Sequence, residues 1–203
     1  MLRVCPLFVV ICAVACDATK TGVICDTTKG PLTIELFPGV SPIGVQRFQQ
    51  LVEENFLTSL PMFRMVPGFL MQAGPKPGGS PFDQMDIQDD QPHASERVFT
   101  RGMIAFAGSG PNSRTDNFFI AFCAQCSSLG TNPWETPIGQ LVGQKSMDVL
   151  TAIEHGQSYG DMPPWGNGPA PKQIQEPNGA AFLKNFPQLD YYKSCRNIVF
   201  ETN

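Results

Sequence analysis

The sequence is poor in charge, histidine and tryptophan. Of its 203 residues 16% are charged, the formal net charge is −4, and there are two histidines and two tryptophans. Nucleic-acid-binding proteins usually carry a basic stripe, and none is present here, so we predict no nucleic-acid partner. Cys123 and Cys126 have C-x-x-C spacing, but no second such pair completes a zinc site. We therefore expect no metal and no cofactor.

The sequence also lacks an apolar run long enough to cross a bilayer. Residues 4–15 are almost continuously apolar, but a membrane-spanning helix needs about 20 residues. Arg3 precedes this run, and Ala13 and Ala15 have the spacing of a signal-peptidase site. We predict a signal peptide at residues 1–18, no stable membrane insertion, and a protein that is secreted or retained in the lumen of the secretory pathway. A buried first strand or a membrane anchor is the alternative.

Glycine and proline are abundant, with 19 residues of each, which favours tight turns over long helices. Two apolar stretches flank Gly30-Pro31, a pattern typical of a β-hairpin. Further strand-length apolar segments follow between Gly and Pro residues. The predicted strands are residues 22–26, 32–37, 62–66, 103–107, 117–122, 138–142 and 196–200. No break in composition divides the chain, so we predict one mainly β domain over residues 19–203.

Two helices are predicted beside these strands. Ser41 as N-cap and Pro42 at the first helical position begin one of them, and Arg47 is expected to face water. The second covers residues 146–155, and the Gly/Pro-rich residues 156–190 predict a C-terminal arm. Strands with two helices and no strand–helix alternation favour a closed antiparallel barrel capped by helices. The core-facing residues expected on the first helix are Val45, Phe48, Leu51 and Val52.

Two segments contain the residues expected to carry chemistry. Arg64 is the one cation among the otherwise apolar residues 62–74, and it must either be satisfied by structural partners or be held at the wall of a cleft. In residues 102–120, small residues allow backbone to approach a ligand closely. Phe118 and Phe119 fall on opposite faces of a strand, so one is expected in the core and the other beside a groove. By contrast, we interpret Asp89-Asp90 as a solvated turn.

In these segments the chain resembles the cyclophilin family of peptidyl-prolyl cis-trans isomerases. Residues 64–72, which contain Pro67-Gly68-Phe69, are similar to the family's catalytic segment, and residues 108–112 and 117–120 are similar to its peptide groove. The other predicted elements match in order over residues 22–200, and residues 159–191 are similar to the C-terminal arm of some bacterial and protist members. The resemblance implies a closed antiparallel eight-stranded β-barrel capped by two helices.

The resemblance also implies a reaction, the rotation of X-Pro bonds in peptides and unfolded protein clients by a monomeric enzyme. In this family's mechanism Arg64 would donate to the prolyl nitrogen as the amide twists, and Gln72 would hold Arg64 and the substrate carbonyl in register. The Arg64 guanidinium must then point into an open apolar groove. The substrate-binding residues implied are Phe69, Leu70, Phe119 and Leu129 around the proline ring, the backbone of Ala107 and Gly108, and Asn117.

The sequence departs from the family's usual pattern. Leu70 stands in place of Met, Asn117 in place of Gln and Gly108 in place of Asn. Ser128 and Glu135 stand where an aromatic residue and a histidine are common, and Trp134 either supplies an apolar wall or packs its own loop. An alternative function is therefore a catalytically weak or inactive module that binds proline-containing peptides. A third is a disulfide-stapled secreted protein with a structural role.

Four of the seven cysteines lie in the predicted strands and loops of the mature domain. Cys25 and Cys195 are in the first and last strands, which are neighbours in this family's barrel, so we predict a disulfide between them if their Cα atoms come within ~7 Å. Cys123 and Cys126 have C-x-x-C spacing without a surrounding βαβ pattern. They are interpreted as a local disulfide or as two free thiols, in preference to a redox centre.

Overall fold

The computed structural model describes residues 20–201, and the predicted signal peptide at residues 1–18 lies outside them. Nine strands form one antiparallel sheet in the order β3-β9-β1-β2-β8-β6-β7-β5-β4. The strands are β1 Thr21–Thr27, β2 Pro31–Leu36, β3 Leu60–Pro61, β4 Arg64–Val66, β5 Leu70–Ala73, β6 Met103–Phe106, β7 Phe118–Ala121, β8 Pro137–Leu141 and β9 Tyr191–Val199. The mainly β, antiparallel prediction is confirmed.

The closed eight-stranded barrel is corrected to a curled sheet of nine strands. Within residues 20–201 the two end strands, β3 and β4, have no pairing with each other. They are nevertheless consecutive, because β3 ends at Pro61 and β4 begins at Arg64. The polypeptide itself therefore joins the two edges of the sheet, where the prediction expected a ladder of hydrogen bonds.

The helices are α1 Pro42–Glu53, α2 Gln144–Glu154, α3 Pro171–Gln175 and α4 Gly179–Phe182. The first two confirm the predicted pair, and α3 and α4 belong to the arm. Val45, Phe48, Leu51 and Val52 of α1 are buried in the main core as predicted. Phe118 also packs in this core, with its ring centroid 5.3 Å from that of Phe48. None of the helices in residues 20–201 is long and apolar enough to span a membrane.

The first turn of α1 is capped by a distant carboxylate. Ser41 makes no side-chain cap bond to the helix. Instead Asp90 accepts from the backbone N–H groups of Ile43 and Gly44 at 2.8 and 3.0 Å and from the Ser41 hydroxyl. Asp90 also accepts from Nη1 of Arg114 at 2.9 Å. Asp90 therefore connects the N-terminus of α1 to a loop that is 49 residues from Ser41 in the sequence.

Two predictions about charged residues are wrong, because these residues have partners inside the protein. Asp89 and Asp90 are 7% and 2% exposed, because both flank the fully buried guanidinium of Arg114. A buried cation requires such counter-charges. Arg47 was expected in water but is 7% exposed, because its Nη1 donates to the carbonyls of Met85 and Thr115 at 2.7 and 3.1 Å.

Two disulfides are present among the described residues. Cys25 and Cys195 are directly opposite each other in β1 and β9, their Cα atoms are 4.0 Å apart and they are bonded. This confirms the predicted bridge. Cys123 and Cys126 are also bonded to each other, which decides between the two alternatives left by the sequence.

Candidate active site

A row of side chains crosses four strands on one face of the sheet. Arg64 of β4 is directly opposite Gln72 of β5, Gln72 is opposite Phe119 of β7, and Phe119 is opposite Ala105 of β6. Directly opposed residues share a face of the sheet, so these four side chains are neighbours. Phe118, the next residue along β7, points to the other face and into the main core, as the alternation predicted.

The Arg64 guanidinium is half-buried at the end of this row and is held by two partners. Its Nε and Nη2 donate to Oδ1 and Oδ2 of Asp161 at 2.6 and 3.2 Å. Its Nη1 donates to Oε1 of Gln72 at 3.2 Å. A guanidinium has five N–H groups, so one on Nη1 and one on Nη2 remain without an acceptor among residues 20–201. These two N–H groups are the ones that could reach a ligand.

The salt link corrects the sequence prediction in part. The Arg64 guanidinium is not unpaired in an apolar groove, because its Nε and Nη2 donate to the Asp161 carboxylate. A half-buried cation needs such a partner, and the arm supplies it from 97 residues away. The predicted contact between Arg64 and Gln72 is present.

Beside Arg64 lies a second apolar cluster, separate from the main core, which we call the groove cluster. It consists of Leu70, Phe99, Ala105, Phe119, Ala121, Cys126 and Leu129, with Phe69, Met103, Ala107 and Cys123 packed against it. All the residues predicted to surround a proline ring are therefore brought together. Leu70, Phe119 and Leu129 are only 4%, 3% and 7% exposed, so the cluster forms a tightly packed surface rather than a deep pocket.

Phe99 is a member of this cluster that sequence reasoning missed. Its ring centroid lies 5.5 Å from that of Phe119, and it is 1% exposed. An open groove of about 510 Å³ adjoins the cluster here, lined among others by Phe99, Cys126 and Leu129. Phe99 lies in the short segment Val98-Phe99 between Arg97 and Thr100, which gave no periodic signal by which it could be assigned to the site.

The backbone predicted to bind a peptide is only partly available. The N–H of Ala107 already donates to the carbonyl of Asn117 at 2.8 Å. The Ala107 carbonyl and the Gly108 N–H have no partner among residues 20–201, so these two groups could pair with an added strand. The Asn117 side chain is turned to Oδ1 of Asp116 at 2.9 Å.

Trp134 packs directly on Gly108. A Cβ built on Gly108 would lie 2.9 Å from Cβ and Cδ1 of Trp134. The glycine therefore leaves the space that the indole occupies, and the indole forms a wall beside the free backbone groups. This observation favours the first of the two predicted roles of Trp134.

The two other departures in this loop have different outcomes. Ser128 is exposed and is absent from the groove cluster. Glu135 caps its own loop, where Oε2 accepts from the Gly130 N–H at 3.0 Å. Burial raises the pKa of Glu135, although N–H donors of Gly130, Thr131 and Asn132 oppose the shift. The carboxylate is thus committed to the loop and does not replace a groove histidine.

Asp161 was missed as a site residue, although the sequence contains a signal for it. It is the one charged residue between Gly156 and Pro171, in a segment otherwise made of small, apolar and uncharged polar residues. A single carboxylate in such a segment, together with the single cation Arg64 in an apolar strand, indicates that the two form a salt bridge. Among residues 20–201 no group of three or more His, Cys, Asp or Glu side chains could hold a metal ion.

Comparison with known proteins agrees with this geometry. The chain is 34% identical over 158 residues to "Peptidyl-prolyl cis-trans isomerase CYP57" of Arabidopsis thaliana, covering 76% of this chain and 30% of that protein. It is 31% identical over 136 residues to "Peptidyl-prolyl cis-trans isomerase-like 3" of Neurospora crassa, covering 63% of this chain and 80% of the other. The first of these relatives is thus much longer than the region it shares with this chain.

A solved structure shares the fold. A cyclophilin type peptidyl-prolyl cis-trans isomerase of Cryptosporidium parvum aligns with a TM-score of 0.62 and 18% identity, covering 91% of this chain and 99% of the other. The same protein was also crystallised in the presence of the dipeptide Ala-Pro. The sequence model described as "Cyclophilin type peptidyl-prolyl cis-trans isomerase/CLD" matches residues 23–169, from β1 to the Asp161 segment of the arm. The chain belongs to the cyclophilin family.

Proposed function

We propose that this protein is an active peptidyl-prolyl cis-trans isomerase whose catalytic group is the Arg64 guanidinium. Its substrates are X-Pro bonds of flexible peptides and of unfolded protein clients. The proposal rests on the Arg64 guanidinium, which Gln72 and Asp161 hold at the edge of the groove cluster. Two of its N–H groups have no acceptor among residues 20–201. The crystallisation of a fold relative in the presence of Ala-Pro supports this substrate class.

The mechanism follows from the chemistry of the amide. Rotation about an X-Pro bond is slow because resonance must be lost, with a barrier of ~20 kcal/mol. When the bond twists, the prolyl nitrogen recovers a lone pair that can accept a hydrogen bond. A free N–H of Arg64 would donate to this nitrogen chiefly in the twisted state, so the interaction lowers the barrier without tightening substrate binding equally.

The neighbouring groups position the substrate. The proline ring would rest on Leu70 and Phe119 of the groove cluster and on Phe69, which packs against it. The Ala107 carbonyl and the Gly108 N–H would pair with the peptide backbone as an added strand. No nucleophile or cofactor takes part, because no covalent bond is made or broken.

The test is the isomerisation rate of a proline-containing peptide and of a proline-limited refolding protein. Arg64→Ala should lower kcat/KM by about 100-fold, a typical effect of removing a donor to a transition state. Arg196→Ala is the matched control, since Arg196 is exposed on β9 and has no side-chain hydrogen bond or salt bridge among residues 20–201. Equal rates for wild type and Arg64→Ala, with Arg196→Ala unchanged, would remove Arg64 from the mechanism.

The second candidate is a module that binds proline-containing peptides without turning them over. The salt link to Asp161 favours it, because three of the five N–H groups of Arg64 are already taken. NMR exchange spectroscopy separates the two functions. An isomerase produces exchange peaks between the cis and trans forms of a bound peptide, whereas a module shifts the peptide resonances without exchange.

We further propose that the protein acts on exported clients, after removal of residues 1–18. The two disulfides support an oxidising compartment, since such bonds are rare in the cytosol. Expression in a secretory host, followed by N-terminal sequencing of the product, tests this. Recovery of the protein only inside the cytosol, with residues 1–18 retained, would contradict it.

A further inference from the structure

We infer that Asp161 is a positioning residue for the isomerase reaction, a carboxylate from the C-terminal arm that sets the orientation of the Arg64 guanidinium. The inference rests on the proposed function and adds a residue to it. Asp161 binds the Nε/Nη2 side of the fork, while Gln72 binds Nη1. One N–H of Nη1 and one of Nη2 therefore remain without an acceptor among residues 20–201, and the guanidinium cannot rotate without losing both partners.

The arm fixes Asp161 by its own backbone. Asp161 Oδ1 also accepts from the Met162 N–H at 2.7 Å, and the Asp161 carbonyl accepts from the Gly168 N–H at 2.9 Å. A Cβ at Gly166 would lie 2.2 Å from the Asp161 carbonyl oxygen, so the loop closes around Asp161 only with glycine at that position. The carboxylate is thus built into a tight loop and not carried on a free strand.

The same loop is attached to the strand that bears Arg64. The Gly160 carbonyl accepts from the Met65 N–H at 3.0 Å. Phe63, the residue before Arg64, is fully buried in a third apolar cluster that we call the arm cluster. This cluster consists of Phe63, Ile174, Leu183 and Leu189, with Tyr159, Met162, Phe182, Phe186 and Tyr191 packed against it. Asp161 and Arg64 are therefore anchored from both sides by one packed unit.

The charge on Asp161 is present under ordinary conditions. The hydrogen bonds donated by Arg64 hold the pKa of Asp161 below its usual range, although burial acts in the opposite direction. Because an unperturbed Asp ionises at about 3.9, Asp161 is a carboxylate throughout the neutral range. The two side chains of the pair are 18% to 19% exposed, so the pair is accessible from solvent.

A positioning role predicts a loss in kcat more than in KM. In Asp161→Asn the side chain keeps its size but loses its charge and one acceptor, so the fork becomes free to rotate. We expect kcat to fall about tenfold while KM changes less than about twofold, because misplacement of a catalytic group by about 1 Å has effects of this order or larger. Asp161→Glu, which restores the carboxylate, should recover a substantial part of the lost kcat.

Two controls separate this role from a structural one. Glu176→Gln removes the same charge from an exposed position of the arm, without a contact to Arg64, and should leave kcat unchanged. The ¹H–¹⁵N resonance of the Arg64 Nε–H, identified by its absence in Arg64→Lys, should move in Asp161→Asn and return towards its wild-type position in Asp161→Glu. Melting temperatures of all variants show that the rates are measured on folded protein.

The outcomes are distinguishable. An active wild type with an unaffected Asp161→Asn would overturn this inference and leave the proposed function intact. A faster Asp161→Asn would also overturn it, since Asp161 would then restrain Arg64 from its substrate. An inactive wild type would overturn the proposed function, and this inference with it.

Discussion

Two buried carboxyl groups predict how the stability of the protein depends on pH. Asp116 is fully buried, and its Oδ1 accepts from the Thr115 hydroxyl and the Asn117 amide at 3.1 and 2.9 Å. Its Oδ2 and the Oδ1 of Asp83 are both buried without another partner among residues 20–201. A hydrogen bond with Asp83 contributes to the raised pKa of Asp116, so we expect the two carboxyl groups to share a proton. Burial, and then the hydrogen bond and charge of Asp83, raise the pKa of Asp116 to about 7.

The sign and size of the effect follow from linkage. The pKa of Asp116 is higher in the folded protein than in the unfolded chain, so the folded state holds a proton that the unfolded state releases. The contribution of Asp116 to the free energy of unfolding is therefore largest below about pH 4, falls as the pH rises towards 7, and is constant above that. A rise from 3.8 to about 7 corresponds to at most about 4 kcal/mol. We expect about 2 kcal/mol of this between pH 5 and 8, because water entry relaxes the site.

Asp116→Asn tests this by removing the proton while keeping the hydrogen bonds. An amide can donate to Asp83 at every pH, so the variant should gain about 2 kcal/mol relative to wild type between pH 5 and 8. Urea unfolding at several pH values, with both disulfides intact, measures the difference. Asp86→Asn is the control, since Asp86 is exposed. Parallel stability curves for wild type and Asp116→Asn would refute the shared proton.

Three further predictions concern the fold and the groove. Asp90→Ala should lower the free energy of unfolding by about 3–5 kcal/mol, because it leaves Arg114 buried beside one carboxylate and uncaps α1; urea unfolding should show this, and a loss no larger than that of Asp86→Ala would contradict it. Gly108→Asn should displace Trp134, since even a Cβ would lie 2.9 Å from the indole; fluorescence in a Trp165→Phe background should change, and an unchanged spectrum would show that the contact is absent. Replacing both Cys25 and Cys195 by Ser should lower the free energy of unfolding by about 2–5 kcal/mol. The loss should exceed that of the same change at Cys123 and Cys126, because a bridge across 170 residues constrains the unfolded chain more than one across 3. Thermal melts compare the two variants, and equal losses would refute the loop-length argument.

Features that depend on neighbouring residues were predicted from the sequence. The hairpin of β1 and β2, the start of α1 at Pro42 and the alternation of Phe118 and Phe119 follow from turn residues and from periodicity. The clustering of Leu70, Phe119 and Leu129 came from the family resemblance, since periodicity does not say which strands meet. Their roles in a reaction remain predictions.

Features that depend on distant partners were missed. Asp90 was interpreted as solvated because the sequence does not show that Arg114 and the start of α1 come to meet it. For Arg64 the sequence left open a structural partner or a place at a cleft wall, and it did not identify Asp161, which lies 97 residues away. In both cases the environment of a charged side chain depends on one oppositely charged residue that is distant in the sequence but close in the fold. The closed barrel was wrong for a related reason, since hydrogen bonding between edge strands is set by the whole sheet.

The bridge between the first and last strands has a practical consequence for limited proteolysis. Cys25 and Cys195 enclose almost all of the described chain, so a protease that cuts once anywhere between them yields two fragments that remain covalently attached. A nick in the arm would go unnoticed on a non-reducing gel and appear only after thiol is added. Purified material should be checked under both conditions, because a nicked sample would keep its apparent mass while its arm, and the Asp161 carboxylate on it, was cut from one of its two attachments.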